Sequence, residues 1–271
     1  YKKNIAYFLA YLWDIGIEAS HSTRTVKECI SEGSKDITVA TSLLESRYIC
    51  GSKLMFGNLI NKINENKSFW DNKDFYQEKI DEQIKRHSQF NNTAYNLEPD
   101  IKNGPGSLRD FHTIFWLCKK FLGINYIEEL LNHSILTKKQ LEQLIASRNF
   151  LALIRYKLHS LTKRAENRLL FEYQKQLAKH FNYEDRDHLL GVEYFMQDYY
   201  KSARTISRMN EIILQILNQN FLKIKDTNAT AINQSFQIKN QLVGLKDDAN
   251  FKDRPALLLE IFLLFQKNKE I

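Results

Sequence analysis

Four places in the chain carry residue types whose spacing could support chemistry. The first is the only Gly-rich turn, Gly104-Pro105-Gly106-Ser107, set just before an apolar stretch. A Gly-rich turn that opens a helix can present free backbone N–H groups to an anion. Arg109 in the first helical turn could add a charge-assisted contact. The same four residues can equally serve only to reverse the chain, with Ser107 as the helix cap, and spacing leaves these two readings even. The second place is "EDRDH", where Asp185 and Asp187 stand two apart. On a strand such a pair can hold Mg²⁺ for phosphoryl transfer. Here it precedes a long helix, where acidic residues are favoured by the helix dipole, so capping is the expected role. The third is "HSTRT", which sets Arg24 beyond a candidate strand. The fourth is "DITVATSLLESR", which sets Asp36, Thr38, Thr41, Glu45 and Arg47 along one helix, with a solvated face as the default.

Other chemistries lack their residues. The seven histidines are scattered, and no H-x-x-x-H pattern or adjacent His-Asp pair occurs, so surface and cap roles are expected of them rather than metal ligation. No G-x-S-x-G, Walker A or G-x-G-x-x-G sequence is present. Cys29, Cys50 and Cys118 lie far apart, which suits reduced thiols in a cytoplasmic protein better than a disulfide framework. No apolar run reaches the roughly 18 residues of a membrane span, and no signal peptide is visible. The net charge of +7 favours anionic partners. Nucleic acid is not expected among them, because the charges interleave, as in "YQEKIDEQIKRH", without a basic block among aromatics.

The elements that must position these residues are mostly helices. Nine glycines and three prolines in 271 residues leave few breaks. Helices are expected over 2–13, over 26–31 with Thr25 as cap, and over 35–50 with Ser34 as cap. Further helices are expected over 54–64, from Asn72 or Asp74 to about residue 90, and over 107–121 with Gly123 as stop. Thr137 opens a long helix to about residue 161, with Leu141, Leu144, Ile145, Leu151, Ile154, Leu158 and Leu161 on one stripe. Helix is expected again over 169–181 and from Asp187 to about residue 221, and a last one after Pro255. Residues 15–22 alternate and form the strand candidate. "KIKDTNATAINQS" reads as a linker, and "FQIKNQLVGL" as extended.

Three segments resemble a known family in wording rather than in spacing: "LWDIGIEASHSTRTVKECISEGSKDITVATSLLESR", "HSQFNNTAYNLEPDIKNGPGSLRDFHT" and "NRLLFEYQKQLAKHFNY". They resemble the bifunctional uridylyltransferase/uridylyl-removing enzymes of the nitrogen-regulatory PII protein. Those enzymes join a polymerase-β-type nucleotidyltransferase domain, a helical domain, an HD phosphohydrolase and two ACT domains. The resemblance implies a mainly α chain, a multi-helix bundle following a short α/β remnant. Residues 1–50 would be the back of the nucleotidyltransferase domain, 52–225 the helical domain, and 226–271 a linker leading to the HD domain.

The resemblance also implies UTP and Mg²⁺ in the parent enzyme, transfer of UMP to a tyrosine of PII, and a response to glutamine through domains not represented here. The Asp-x-Asp metal pair in a usable context and the His-Asp dyad of the family are not found, and the chain opens on Tyr1 with helical sequence at once. It is therefore expected to be an inactive piece of a longer enzyme. Glu18 is the weak candidate for a third metal ligand, since Ser20 stands where relatives place an aspartate. Arg24, Asn96, Asp100, Lys102, Gly104, Gly106, Arg109 and Asp110 are expected to face nucleotide or PII. The alternatives are a glutamine-synthetase adenylyltransferase module, and a helical domain that only docks PII or spaces its neighbours.

Overall fold

The computed structural model describes residues 2–17, 19–65, 69–186, 188–221, 230–239, 242–246 and 250–267. The chain falls into two compact units, Tyr1–Glu82 and Gln83–Ile271. The protein is mainly α, as the sequence indicates.

The first unit holds α1 (Lys2–Asp14), α2 (Val26–Gly33), α3 (Ile37–Leu44), α4 (Lys53–Glu65) and the first part of α5 (Asn72–Ser88). Thr25 and Glu28 close a reciprocal capping box on α2: the Glu28 N–H reaches Thr25 Oγ1 at 3.2 Å and the Thr25 N–H reaches Glu28 Oε2 at 2.7 Å. The helix expected from Ser34 begins later. Ser34 sits at the C-terminal end of α2 and donates its hydroxyl to the Ile30 carbonyl. Asp36 is the cap of α3, with Oδ1 accepting from the Thr38 and Val39 N–H groups at 2.6 and 3.1 Å. A carboxylate that accepts two orphan N–H groups is the stronger cap. The α2–α3 corner closes on Gly33, whose carbonyl accepts the Trp70 indole N–H at 2.6 Å while Phe69 fills the space where a Cβ would stand.

The strand candidate at 15–22 does not form among the described residues. Gly16 takes a left-handed turn (φ +82°), and the described residues that follow are irregular. Alternation needs a neighbouring strand to take up the backbone N–H and C=O groups, and no described strand lies in this unit.

The second unit is built on α9 (Gly191–Phe221), against which α6 (Leu108–Leu122), α7 (Lys138–Thr162) and α8 (Phe171–His180) pack, with a 3₁₀ turn at Ile127–Leu131. Phe195, Tyr199, Ala203, Ile206, Ile213 and Leu217 form the buried stripe of α9. The matching stripe of α7, Leu144, Leu151, Ile154 and Leu158, is fully buried, each side chain contributing about 1.5–3 kcal/mol by removal from water. Gly123 ends α6 in the left-handed conformation (φ +70°), and Thr137 with Gln140 boxes the start of α7. The expected extended tail forms β2 (Phe236–Lys239) and β3 (Leu242–Leu245) of an antiparallel sheet in the order β1-β2-β3; β1 (Thr230–Ala231) falls in the stretch expected as linker, and α10 (Leu257–Lys267) follows. No described helix is long and apolar enough to cross a membrane.

Candidate functional site

The loop before α6 is fixed almost atom by atom. Asp100 folds over its own backbone, Oδ1 accepting from the Lys102 and Asn103 N–H groups at 2.9 and 2.6 Å, and its carbonyl accepts from Gly104 N–H. The loop also pairs with the segment before α8: the Ile101 N–H donates to the Asn167 carbonyl and the Leu169 N–H to the Pro99 carbonyl, both at 2.9 Å. Asn96 donates Nδ2 to the Phe90 and Thr93 carbonyls, and its own carbonyl accepts the Tyr200 hydroxyl at 2.9 Å. Asn96 and Asp100 line a groove of about 590 Å³ shared with Leu97, Glu98, Arg168 and Phe171.

The open choice at Gly104–Ser107 is decided against a backbone anion site. Every N–H from Gly104 to Phe111 that a bound anion would need is already spent, Pro105 having none. Gly104 donates to the Asp100 carbonyl, Ser107 to Gly104, Leu108 to Ile101, Arg109 to Lys102, and both Asp110 and Phe111 to Ser107. Gly106 donates to Asp110 Oδ2 at 2.7 Å. Gly106 itself has φ +71°, and a Cβ on it would run into the Ala203 carbonyl of α9. It is glycine so that the loop can lie directly on the helix backbone.

Asp110 is likewise placed inside rather than facing a ligand. It is 1 % exposed. Its Oδ1 accepts from Arg86 Nη2 at 2.8 Å, and His87 Nε2 lies 2.9 and 3.0 Å from the two carboxylate oxygens. Arg86 Nη1 also donates to the Asn103 carbonyl, and Asn210 Nδ2 to the Asp110 carbonyl, with Gln83 Nε2 donating to Asn210 Oδ1. Gly104, Gly106 and Asp110 thus hold the loop. His87 is not the surface residue expected of the scattered histidines; it meets an aspartate 23 positions away.

Lys102 and Arg109 have different surroundings. The Arg109 guanidinium lies 5.6 Å from the Trp116 ring centroid, and that of Arg148 5.2 Å from Phe111. Between them stands His112, its ring 6.2 Å from Phe111 and 5.8 Å from Trp116. Burial, and then the positive charges of Arg109, Arg148, Arg155 and Lys102, lower the His112 pKa to about 4. Arg155 Nε donates to Asn167 Oδ1 at 2.7 Å, tying α7 to the segment that pairs with the loop. Arg148, Arg155 and His112 were not singled out by sequence, although Arg148 and Arg155 stand seven apart on α7, and Arg109 and His112 three apart on α6, spacings that share a helix face.

The remaining expectations fall elsewhere. Arg24 belongs to the first unit, exposed on the segment before α2 and close enough to Asp36 and Cys29 to act on both electrostatically. Asp185 acts as the expected cap, Oδ1 accepting the Gly191 N–H at 2.6 Å at the start of α9. Asp187 and Glu18 lie outside the described residues.

Residues 74–214, just over half of the chain, match a family model described as GlnD PII-uridylyltransferase. Curated relatives agree along the whole length. The chain is 40% identical to the bifunctional uridylyltransferase/uridylyl-removing enzyme of Hydrogenovibrio crunogenus over 98% of this chain, and 41% identical to that of Nitrosococcus oceani over 100% of it. The enzyme of the same name from Pseudomonas aeruginosa is 38% identical, again over 100% of the chain. The chain spans about 30% of the length of each of these relatives. No solved structure matches it. The loop, its buried carboxylate and α5 to α9 all lie within or beside the matched stretch, and the chain belongs to the PII-uridylyltransferase family.

Proposed function

We propose that the chain is the central part of an enzyme that transfers UMP from UTP to a tyrosine hydroxyl of PII and also removes it, under glutamine control. The observation that carries this reading is the match over 74–214, joined by identities of 38–41% over 98–100% of the chain. On this reading residues 1–50 complete the nucleotidyltransferase domain, 52–225 are the helical domain, and 226–271 lead to the phosphohydrolase. Mg²⁺ would neutralise the triphosphate and activate the attacking hydroxyl in the parent. Among the described residues no group of three or more His, Cys, Asp or Glu stands together, and the acidic candidates Glu18 and Asp187 lie outside them. No step is therefore assigned to this chain through the ion. The surroundings expected for the whole enzyme are cytoplasmic.

The chain's own contribution is positive charge on a rigid support. Lys102 leaves the Asp100 turn, and Arg109 leaves the first turn of a helix whose start is clamped by the Asp110 anchor. Both are side chains able to meet a phosphate, whereas the backbone between them is fully occupied.

Arg109→Ala in a full-length relative tests the reading. Uridylylation of PII should fall by at least ten-fold, and unchanged kinetics would remove Arg109 from the functional surface. The isolated chain should show no transfer from labelled UTP to PII; measurable transfer would overturn the division of labour proposed here.

A further inference from the structure

Two guanidinium groups lie over the rings that flank His112 in the second unit, Arg109 at 5.6 Å from Trp116 and Arg148 at 5.2 Å from Phe111, and two further cations, Arg155 and Lys102, act on the same imidazole electrostatically. Arg109 and His112 come from α6, Arg148 and Arg155 from α7, and Lys102 from the loop. None of the four cations is paired with a carboxylate among the described residues. Their surroundings are only part-exposed, so solvent screens their mutual repulsion incompletely. Cation–π contacts to Trp116 and Phe111 offset some of this, but a ring quadrupole does not cancel a charge. A second observation is independent of charge: Arg148 Nε is buried without a hydrogen-bond partner, and so is His159 Nε2 one turn beyond Arg155 on α7. A buried guanidinium N–H left unsatisfied is costly, and its usual partner is an oxyanion.

We propose that Lys102, Arg109, Arg148 and Arg155, with His112, form a binding site for a phosphate-bearing anion on the α6–α7 face. This builds on the reading of Lys102 and Arg109 as functional side chains, and adds Arg148 and Arg155, which lie outside the family wording, and His112, which lies within it. Planar guanidinium forks suit the oxygens of a phosphate group better than lysine side chains would. Trp116 and Phe111 lie under the Arg109 and Arg148 guanidinium groups, and the Arg155 bond to Asn167 holds the third. His112, uncharged at neutral pH, supplies one ring N–H or one acceptor rather than a fifth charge. The occupant is the phosphate chain of a nucleotide or a free polyphosphate. The two share their chemistry and differ in whether a base adds affinity.

Calorimetric titration of the intact 271-residue chain with inorganic tripolyphosphate and, separately, with UTP tests the site. Both should bind, more weakly as salt rises. Equal affinities identify a phosphate site alone; tighter UTP binding identifies a nucleotide site. Arg148→Met keeps the packing over Phe111 and should weaken binding at least ten-fold, as should Arg155→Met. Lys175→Gln, an exposed lysine on α8, should leave it unchanged. NMR titration of His112 gives a second readout that does not depend on variants folding. Its pKa should rise from about 4 by at least one unit when tripolyphosphate is bound. Absence of binding at low salt, equal weakening by Lys175→Gln, or a His112 titration indifferent to tripolyphosphate would each overturn the site. Binding without any effect of Arg109→Ala on uridylylation would keep the site and defeat its catalytic reading. Impaired uridylylation without binding would do the reverse.

Discussion

The Asp110 carboxylate and the Arg86 guanidinium meet at 2.8 Å where both side chains are buried, 1 % and 9 % exposed. The pair joins the end of α5 to the start of α6, and His87 and the Gly106 N–H close around the same two oxygens. Removing one member of such a pair strands the other charge away from water. Asp110→Ala should therefore lower the unfolding free energy by about 3–5 kcal/mol, read as a shift of the urea midpoint. A loss under about 1 kcal/mol, the range of an exposed pair, would show that the carboxylate does not hold the loop.

Two left-handed glycines separate strain from collision. Gly123→Ala meets open space, so it should cost only the conformational penalty, about 1–2 kcal/mol. Gly106→Ala adds a clash with the Ala203 carbonyl to the same φ, and should cost clearly more. Thermal unfolding of the two variants checks the order, and equal costs would mean that the loop can lift off α9.

His112 makes stability depend on acid. Its folded pKa, about 4, lies below the ordinary 6.5. The unfolded chain therefore takes up a proton first as pH falls. Stability from this group is complete above pH 6.5, is lost between about 6.5 and 4, and is flat below. The loss amounts to about 3 kcal/mol at about 1.4 kcal/mol per unit. Denaturant titrations at pH 7 and pH 4.5 should differ by most of this, and His112→Asn should reduce the difference.

Burial also separates the thiols. Cys118 is fully buried on α6, its pKa pushed up to about 12, whereas Cys50 is exposed. An alkylating reagent at neutral pH should modify Cys50 quickly and Cys118 only as the second unit unfolds. Mass spectrometry over a denaturant series reads this directly; early labelling of Cys118 would contradict the packing of α6.

Much of the helical framework was legible because its signals are local. Thr25 with Glu28, Thr137 with Gln140, and Gly123 after α6 each mark a boundary within four residues of the groups they satisfy. Period reads equally well on α7 and α9. The two misreadings share a cause. Ser34 and Asp36 were both able to cap α3, and only the backbone path decides which carboxylate or hydroxyl reaches the N–H groups. The alternation at 15–22 is a strand only beside another strand.

The site was legible in part. The wording of residues 87–113 marked the loop and included His87, Asp110 and His112, but gave no sign of which pointed inward. By itself the sequence determined the family, the helices and the special status of the loop, because caps, period and motif act over a few residues. Only the tertiary structure decided that the Gly-Pro-Gly backbone has no N–H to give an anion, that Asp110 is an anchor, and that Arg148 and Arg155 stand beside His112. Those outcomes depend on which groups are desolvated together, and packing between elements decades apart in sequence sets that, not the residues' own neighbours.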